Sequence, residues 1–322
     1  MQKVFSKPKI ASTIRDQGEL EKLLNIRNIV IPVMGPTGVG KSTFINAIVA
    51  KEFDEIDSSS MKPCLMEVGH GLVSCTKDVQ ASCIKSPMDL VRMQQMLDHS
   101  VVLVDTPGFD DTYRDDFEIL QKIADWLKES YNDQHVIAGV IYLHDISLDR
   151  FPGSAAKNLD VFKSLCGRQA FSSIVMVETK GEKAFPDRVE RYDQEMRNSF
   201  WKDLVEAGVT IRSFDNDYES ARSVVDYILT EFTQKFILQL QKEVAEDHKL
   251  LPDTDAGRKL KLALKDVLER SQDLLSKSSV YNVDPETLKV MEETVKLLSA
   301  QVAALRKPSP LKAFFQRLSN LF

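Results

Sequence analysis

The sequence predicts an α/β protein, a three-layer sandwich in which helices cover both faces of a mostly parallel sheet, followed by a helical C-terminal region. Three observations support this fold class. Apolar strand-length runs alternate with helical segments, a glycine-rich loop joins the first strand to the first helix, and strand signals stop after residue 232. Alternating strands and helices favour a parallel sheet that is buried on both faces. We therefore divide the chain into an arm (1–27), an α/β domain (28–232) and a helical region (233–322).

The elements of the α/β domain follow from apolar runs and from helical spacing of apolar residues. Strands are predicted at 29–34, 100–104, 136–143, 173–177 and 209–214. Helices are predicted at 43–50, 116–131, 154–166, 187–206 and 218–232. Pro32 lies inside the first strand, and proline cannot donate to a strand ladder, so we expect this strand to be edge-like there.

The loop after the first strand carries the most specific motif of the chain. Residues 35–42 read GPTGVGKS and match the pattern G-x-x-x-x-G-K-[ST] at every position. Glycines let backbone N–H groups approach a polyphosphate, and the helix N-terminus adds partial positive charge. Lys41 is predicted to reach the β- and γ-phosphates, and Ser42 to ligate Mg²⁺. The strand, loop and helix together predict a P-loop NTPase fold. The predicted phosphate-binding residues are Gly35, Pro36, Thr37, Gly38, Val39, Gly40, Lys41, Ser42 and Thr43.

Two further motifs stand at predicted strand ends. Asp105 and Gly108 form D-x-x-G about sixty residues after the loop, where the aspartate can hold Mg²⁺ through water and the glycine N–H can meet the γ-phosphate. Thr179, Lys180 and Glu182 match [NT]-K-x-D except for the final glutamate. In that motif the carboxylate accepts two hydrogen bonds from guanine. Because Glu reaches one methylene further than Asp, guanine selectivity is a weaker prediction than the phosphate site.

Composition narrows the class of protein. The net charge of −6 supplies no global basic field, so we expect no nucleic-acid partner. The four cysteines form no C-x-x-C pair, which indicates a reduced, cytoplasmic chain without a zinc site. The N-terminus lacks the apolar core of a signal peptide, and the longest apolar run, 136–143, is too short to span a bilayer.

Five segments of the α/β domain carry a family resemblance. They are GPTGVGKST (35–43), SCTKDVQ (74–80), VLVDTPGFDDT (102–112), IYLHDIS (141–147) and FDNDYESA (214–221). Together they make residues 28–232 similar to septin-like or immunity-associated GTPases of the paraseptin group, and most similar to small G-domain proteins of filamentous and mushroom-forming fungi. The resemblance implies GTP or GDP bound with Mg²⁺. It also implies that Thr76 is the first-switch threonine on Mg²⁺ and that Asn216 lies in the last base-binding loop.

One departure from Ras-like enzymes bears on catalysis. Phe109 follows Gly108, where those enzymes carry a glutamine that orients water. We therefore expect hydrolysis that is slow or that depends on a group from a partner. Arg150 resembles the arginine that immunity-associated GTPases can offer across a G-domain homodimer, and the alternative is an ordinary solvated loop arginine.

Three functions remain open at this point. The first is a slowly hydrolysing GTPase that dimerises through its nucleotide face. The second is a nucleotide-locked assembly scaffold in which hydrolysis is incidental. The third, an ATP-using P-loop kinase, is disfavoured by the TKGE and DTPG segments and by the lack of an identifiable acceptor-substrate lid.

The helical region offers two patterns. Apolar residues hold a heptad register over less than three heptads, which fits an intramolecular helical hairpin or a coiled-coil dimer equally well; they are Leu288, Met291, Val295, Leu298, Val302 and Leu305. Residues 306–322 contain four basic and no acidic side chains beside an apolar stripe. Such a stripe either docks on the protein or makes weak contact with an anionic membrane.

Overall fold

The fold is seen in a computed structural model that describes residues 28–54, 79–84, 100–109, 116–147, 151, 153–181, 186–232, 236–278 and 283–305. A seven-stranded sheet runs in the order β2-β3-β1-β5-β6-β7, and β4 also pairs with β1. All pairs are parallel except β2 with β3, so the predicted mostly parallel sheet is confirmed. The strands are β1 (Asn28–Met34), β2 (Gln80–Ile84), β3 (Ser100–Asp105), β4 (Val136–Ile137), β5 (Val140–Asp145), β6 (Ile174–Thr179) and β7 (Thr210–Phe214).

Helices lie on both faces of this sheet. Strand alternation separates two apolar cores: Ile31 of β1 packs with Phe44 and Ile228 on one face, and Val30 packs with Leu120 and Phe162 on the other. The three-layer α/β sandwich is therefore confirmed. The α-helices are α1 (Lys41–Asp54), α2 (Asp116–Asn132), α3 (Gly153–Cys166), α4 (Pro186–Asn198), α5 (Lys202–Glu206), α6 (Tyr218–Glu231), α7 (Gln239–Gln241), α8 (Asp255–Ser276) and α9 (Pro285–Ala304).

The expectation that β1 is edge-like at Pro32 is wrong, because β1 lies between β3 and β5. The Val30 carbonyl accepts from Ala138 N at 3.1 Å, so the backbone polar groups of Pro32, two residues on, point to the same side. The strand on that side is interrupted between β4 and β5, at residues 138–139. The missing proline N–H thus faces a gap in the ladder, which explains how a central strand accepts it.

Two predicted elements are each split in the structure. The strand expected at 136–143 divides into β4 and β5, with residues 138–139 between them. Gly139 lies so close to α6 that an added Cβ would stand 2.6 Å from the Ile228 side chain. The helix expected at 187–206 divides into α4 and α5. Trp201, fully buried, stands at the N-cap of α5 and anchors the break in the core.

The helical C-terminal region packs against α2 and α3, on the face of the sheet opposite α1. Leu240, Leu260 and Leu264 join the core formed by α2 and α3, and α9 runs along α8. The heptad residues of α9 are half-buried near its start, and the last three are buried. Within the described residues the register thus serves a helical hairpin, while a coiled-coil dimer stays an untested prediction.

Some predictions fall beyond the described residues. Both the N-terminal arm (1–27) and the basic stripe (306–322) lie there, so the membrane contact stays a prediction. Among the described helices, none combines the length and apolar character needed to cross a bilayer.

Candidate functional site

The phosphate loop bridges β1 and α1 at the carboxyl edge of the sheet. Its backbone has positive φ angles, which favour glycine, and these include +141° at Gly35 and +101° at Gly40. An added Cβ at Gly35 would lie 2.5 Å from the Leu143 carbonyl oxygen, so only glycine lets the loop pass this close to β5. α1 begins at Lys41, directly after the loop, and its N-terminal N–H groups therefore face the same space.

Lys41 is held inside this loop. Its side chain is 6% exposed, and Nζ donates to the carbonyl oxygens of Gly35 at 3.1 Å and Pro36 at 2.9 Å. Burial lowers the pKa of Lys41 to about 8, and the nearby Asp105 carboxylate offsets part of that effect. A buried cation of this kind is poised to gain from an anionic ligand, because the phosphate would restore the charge that burial disfavours.

Ser42 and Asp105 bring two oxygen groups together at the start of α1 and the end of β3. The Ser42 hydroxyl donates to Asp105 Oδ2 at 2.6 Å, and Asp105 is fully buried. Hydroxyl and carboxylate oxygens suit Mg²⁺, which keeps several waters and needs only one or two protein ligands. Within the described ranges there is no cluster of three or more His, Cys, Asp or Glu side chains that could hold a metal. The Ser42 hydroxyl and the Asp105 carboxylate fit a hydrated Mg²⁺ shared with phosphates.

The D-x-x-G segment lies directly on the phosphate loop. Thr37 Oγ1 donates to the Gly108 carbonyl at 3.1 Å, and Thr37 N donates to the Phe109 carbonyl at 3.1 Å. An added Cβ at Gly108 would stand 2.6 Å from Thr37 N and 2.7 Å from Lys41 Nζ. A side chain at this position would therefore enter the phosphate loop. The two motifs that the sequence places far apart form one continuous surface.

The end of β6 connects to the phosphate loop from the other side. Thr179 Oγ1 donates to the carbonyl oxygens of Val39 at 3.0 Å and His144 at 3.2 Å. Lys180 follows in a left-handed conformation, with φ of +61°, and its Nζ lies 2.6 Å from Asp145 Oδ2. This arrangement ties the predicted base-binding segment to the loop that would hold the phosphates.

Asp145 was not predicted as a site residue. Burial alone would raise its pKa, but the hydrogen bonds from Lys180 and Ser147 outweigh burial, so the pKa of Asp145 lies below its ordinary value. Its other oxygen, Oδ1, accepts from Ser147 N at 2.9 Å and from Ser147 Oγ at 2.6 Å. The sequence signal was that Asp145 follows the predicted strand 136–143 by two residues. The register of β5 with β6 places it beside Lys180, and that register is not evident from the sequence.

Asn216 lies beyond β7, in the turn that leads into α6. It is exposed and left-handed, with φ of +61°, and the next residue, Asp217, caps α6 by accepting from Ser220 N at 2.8 Å. Phe214, at the end of β7, packs edge-on against Phe44 of α1 with ring centroids 5.1 Å apart. This contact joins the last predicted loop of the site to the phosphate-loop helix.

Three predicted site residues lie outside the described residues: Thr76, Arg150 and Glu182. The residues that flank two of them are described. Ser147 and Phe151 stand on either side of the segment with Arg150, and Gly181 precedes Glu182. Their roles stay predictions.

Comparison with known proteins gives one family and several similar folds. A sequence profile of the AIG1 family matches residues 27–226. Toc33 from Arabidopsis thaliana in complex with Mg²⁺ and GMPPNP is 12% identical with a TM-score of 0.45, over 69% of this chain and 96% of that one. A structure from a study of dimerisation in the GTPase activity of the chloroplast translocon components atToc33 and psToc159 is 13% identical with a TM-score of 0.49, over 71% of this chain and 99% of that one.

A third similar structure is a larger protein. The elongation factor SelB from Methanococcus maripaludis, with the GTP analogue GppNHp, is 14% identical with a TM-score of 0.41. The alignment covers 66% of this chain but only 36% of SelB. No curated protein matches the chain. None of these matches bears on the fungal or septin-like parts of the resemblance, which stay predictions.

Proposed function

Because the chain belongs to the AIG1 family, we propose that it binds GTP and GDP with Mg²⁺ and hydrolyses GTP slowly, with faster turnover when two G domains dimerise. One observation carries the proposal: the D-x-x-G segment and the end of β6 each contact the phosphate loop, through the Thr37–Gly108 and Thr179–Val39 hydrogen bonds. Segments joined in this way could contact the phosphates and the base of one nucleotide, together with its Mg²⁺, at the same time.

Each part of the site has an assigned role in this proposal. Residues 35–43 bind the phosphates, with Lys41 reaching the β- and γ-phosphates. Ser42 and Asp105, joined by Thr76, hold Mg²⁺, which neutralises phosphate charge when bound. The base is met by Thr179, Lys180, Glu182 and Asn216.

Slow hydrolysis follows from the residue after Gly108. Phe109 is 8% exposed and packs into the apolar core, so its side chain can neither orient nor deprotonate a water. We assign the missing group to Arg150 of a second copy, reaching across a G-domain homodimer. An arginine in this role would stabilise the charge that develops on the transferred phosphoryl group.

A nucleotide-locked scaffold is the competing function. It shares the nucleotide site but predicts turnover that does not rise with protein concentration. The deciding experiments are a binding titration that compares GTP, GDP and ATP, and GTP turnover across a range of protein concentrations. Guanine preference with rising specific activity supports the GTPase, whereas equal affinity for ATP and GTP overturns the proposed function.

A further inference from the structure

A row of polar residues interrupts an otherwise apolar face of the sheet. Its first two members lie against α4, and its third, Ser213, is exposed. His144 of β5, Glu178 of β6 and Ser213 of β7 stand in register on adjacent strands. The neighbouring row on the same face is apolar, with Tyr142 and Met176 in the core. The polar row lies one residue before Thr179, so it is next to the segment proposed to meet the base.

The first member of the row is bound to α4. The His144 ring stacks on Tyr192 with centroids 5.9 Å apart, and His144 Nε2 lies 3.0 Å from the Tyr192 hydroxyl oxygen. Trp201 packs edge-on against the same ring at 5.2 Å. Burial lowers the pKa of His144 to about 4 despite the nearby Asp145 carboxylate, so the imidazole is neutral at physiological pH.

The second member faces another carboxyl group of α4. Glu178 is 8% exposed and meets Asp193 and Arg197 of α4 and Ser213 of β7. Burial first, then the hydrogen bond and the charge of Asp193, raise the pKa of Glu178 to about 8, although Arg197 and Ser213 act in the opposite direction. Arg197 Nε is 2.7 Å from both Asp193 oxygens, so its charge is directed mainly to that partner.

The geometry is therefore suited to a protonated Glu178. Its Oε1 is buried and finds no hydrogen-bond partner in the part of the chain that the structure describes. A neutral carboxyl tolerates such burial far better than a carboxylate, and it can share its proton with Asp193. Charging Glu178 would place two carboxylates together between β6 and α4, with the single charge of Arg197 to offset them among the described residues.

We propose that Glu178 is a positioning residue for base recognition: its protonated carboxyl holds the end of β6 against α4, and so sets Thr179 and Lys180. This inference rests on the proposed guanine-nucleotide function. When Glu178 loses its proton, β6 and α4 are pushed apart and base affinity falls. Glu178 reaches the phosphate loop only through the contact of Thr179 with Val39, whereas Lys41 is held by Gly35 and Pro36 within the loop, so phosphate affinity should change less than base affinity.

The test measures GDP and tripolyphosphate binding between pH 6 and 8.5 for the intact wild-type chain and for Glu178→Gln. Tripolyphosphate serves as a probe that has phosphates but no base. The ligands and Lys41 ionise in the same way in both proteins, so a difference between the proteins at one pH reports on Glu178. We expect the variant to bind GDP as the wild type does at pH 6 but on the order of fivefold or more tightly at pH 8.5. Tripolyphosphate affinity should differ between the two proteins by less than GDP affinity does at pH 8.5.

Two further variants complete the design. Asp193→Asn removes the second carboxylate and frees Arg197 to pair with a charged Glu178, so GDP affinity should no longer fall between pH 6 and 8.5 beyond the common ionisation of ligand and Lys41. This variant carries the test if Glu178→Gln does not fold. Glu195→Gln, an exposed position on α4, is the matched control and should follow the wild type. If GDP affinity has the same pH profile in the wild type and in the Glu178 and Asp193 variants, the inference is overturned. The proposed GDP binding would not be affected by that result. A wild type with no preference for GDP over ADP at any pH instead overturns the proposed function.

Discussion

The Thr179 hydroxyl at the end of β6 donates to the Val39 carbonyl of the phosphate loop at 3.0 Å, across 140 positions of sequence. The two residues belong to segments assigned to different ends of one nucleotide. A hydrogen bond between them fixes how far the base-binding segment stands from the phosphates. Nucleotide affinity should therefore depend on this contact, because it sets the spacing between the two segments.

Thr179→Val tests that contact, since valine keeps the branched shape and removes the hydroxyl. We expect the free energy of unfolding to fall by about 1 kcal/mol, because the buried Val39 carbonyl loses a donor. GDP affinity should fall about fivefold in a direct titration. Thr294→Val, which removes an exposed hydroxyl bonded to the Val290 carbonyl on α9, should leave affinity unchanged. Unaltered GDP affinity in Thr179→Val would show that the contact does not couple the two segments.

Lys41→Ala should abolish tight nucleotide binding. The phosphate loop loses the buried cation aimed at the phosphates, and a charge-assisted interaction worth about 3 kcal/mol corresponds to a loss on the order of 100-fold. Calorimetric titration with GTP and GDP measures it. Lys51→Ala, an exposed position on the same helix, is the control. Wild-type affinity in Lys41→Ala would remove the phosphate-site assignment.

Nucleotide binding should also take up a proton above pH 8. The pKa of Lys41 is lowered to about 8 from 10.5, so the amine of the free protein is largely neutral at pH 8.5, and a bound phosphate shifts it back to the charged form. At pH 6.5 Lys41 is charged in both states and contributes no uptake. The binding heat of GDP, measured at pH 8.5 in buffers of different ionisation enthalpy, reports the proton count.

The uptake assigned to Lys41 should persist in Glu178→Gln, which removes Glu178, a second described group with a pKa near 8. A binding heat that is independent of buffer at pH 8.5 would contradict the prediction. The same shift makes the nucleotide-free protein gain stability as pH rises from 8 to 10.5, because the unfolded chain then binds more protons at this lysine than the folded one.

Glu182→Ala should relax base preference more than it lowers phosphate affinity, since the proposed contact of this carboxylate is with guanine alone. We expect the ratio of GDP to ADP affinity to fall by about tenfold or more, because the two hydrogen bonds that guanine donates to the carboxylate are lost. Tripolyphosphate binding should not change. Glu195→Ala serves as the exposed control, and a wild type that binds ATP and GTP equally would refute the base assignment.

Arg150→Ala should lower GTP turnover at high protein concentration and leave GTP affinity intact. An arginine supplied in trans acts only in the dimer, so the loss should vanish at concentrations where the protein is monomeric. Steady-state turnover across a concentration series, with Arg168→Ala as an exposed control, distinguishes the cases. If the specific activity of the wild type does not rise with concentration, the arginine in trans is excluded.

The phosphate loop is the part of the site that local sequence determined. The glycine conformations and the start of α1 at Lys41 depend on residues within one short stretch, so the motif predicts the geometry directly. The alternation of strands and helices likewise predicted the α/β sandwich. Pro32 was misread because its tolerance depends on a break in a strand more than one hundred residues away.

Tertiary structure decided the surroundings of the base-binding segment. Asp145 meets Lys180, and Glu178 stands between His144 and Ser213, only because β5, β6 and β7 align in one register. A strand pattern predicts which face a residue takes but not which residue of another strand lies beside it. The pKa values of Glu178 and His144 follow from that register and from the helix that covers it, since burial and a neighbouring charge exist only once the distant segments are packed together.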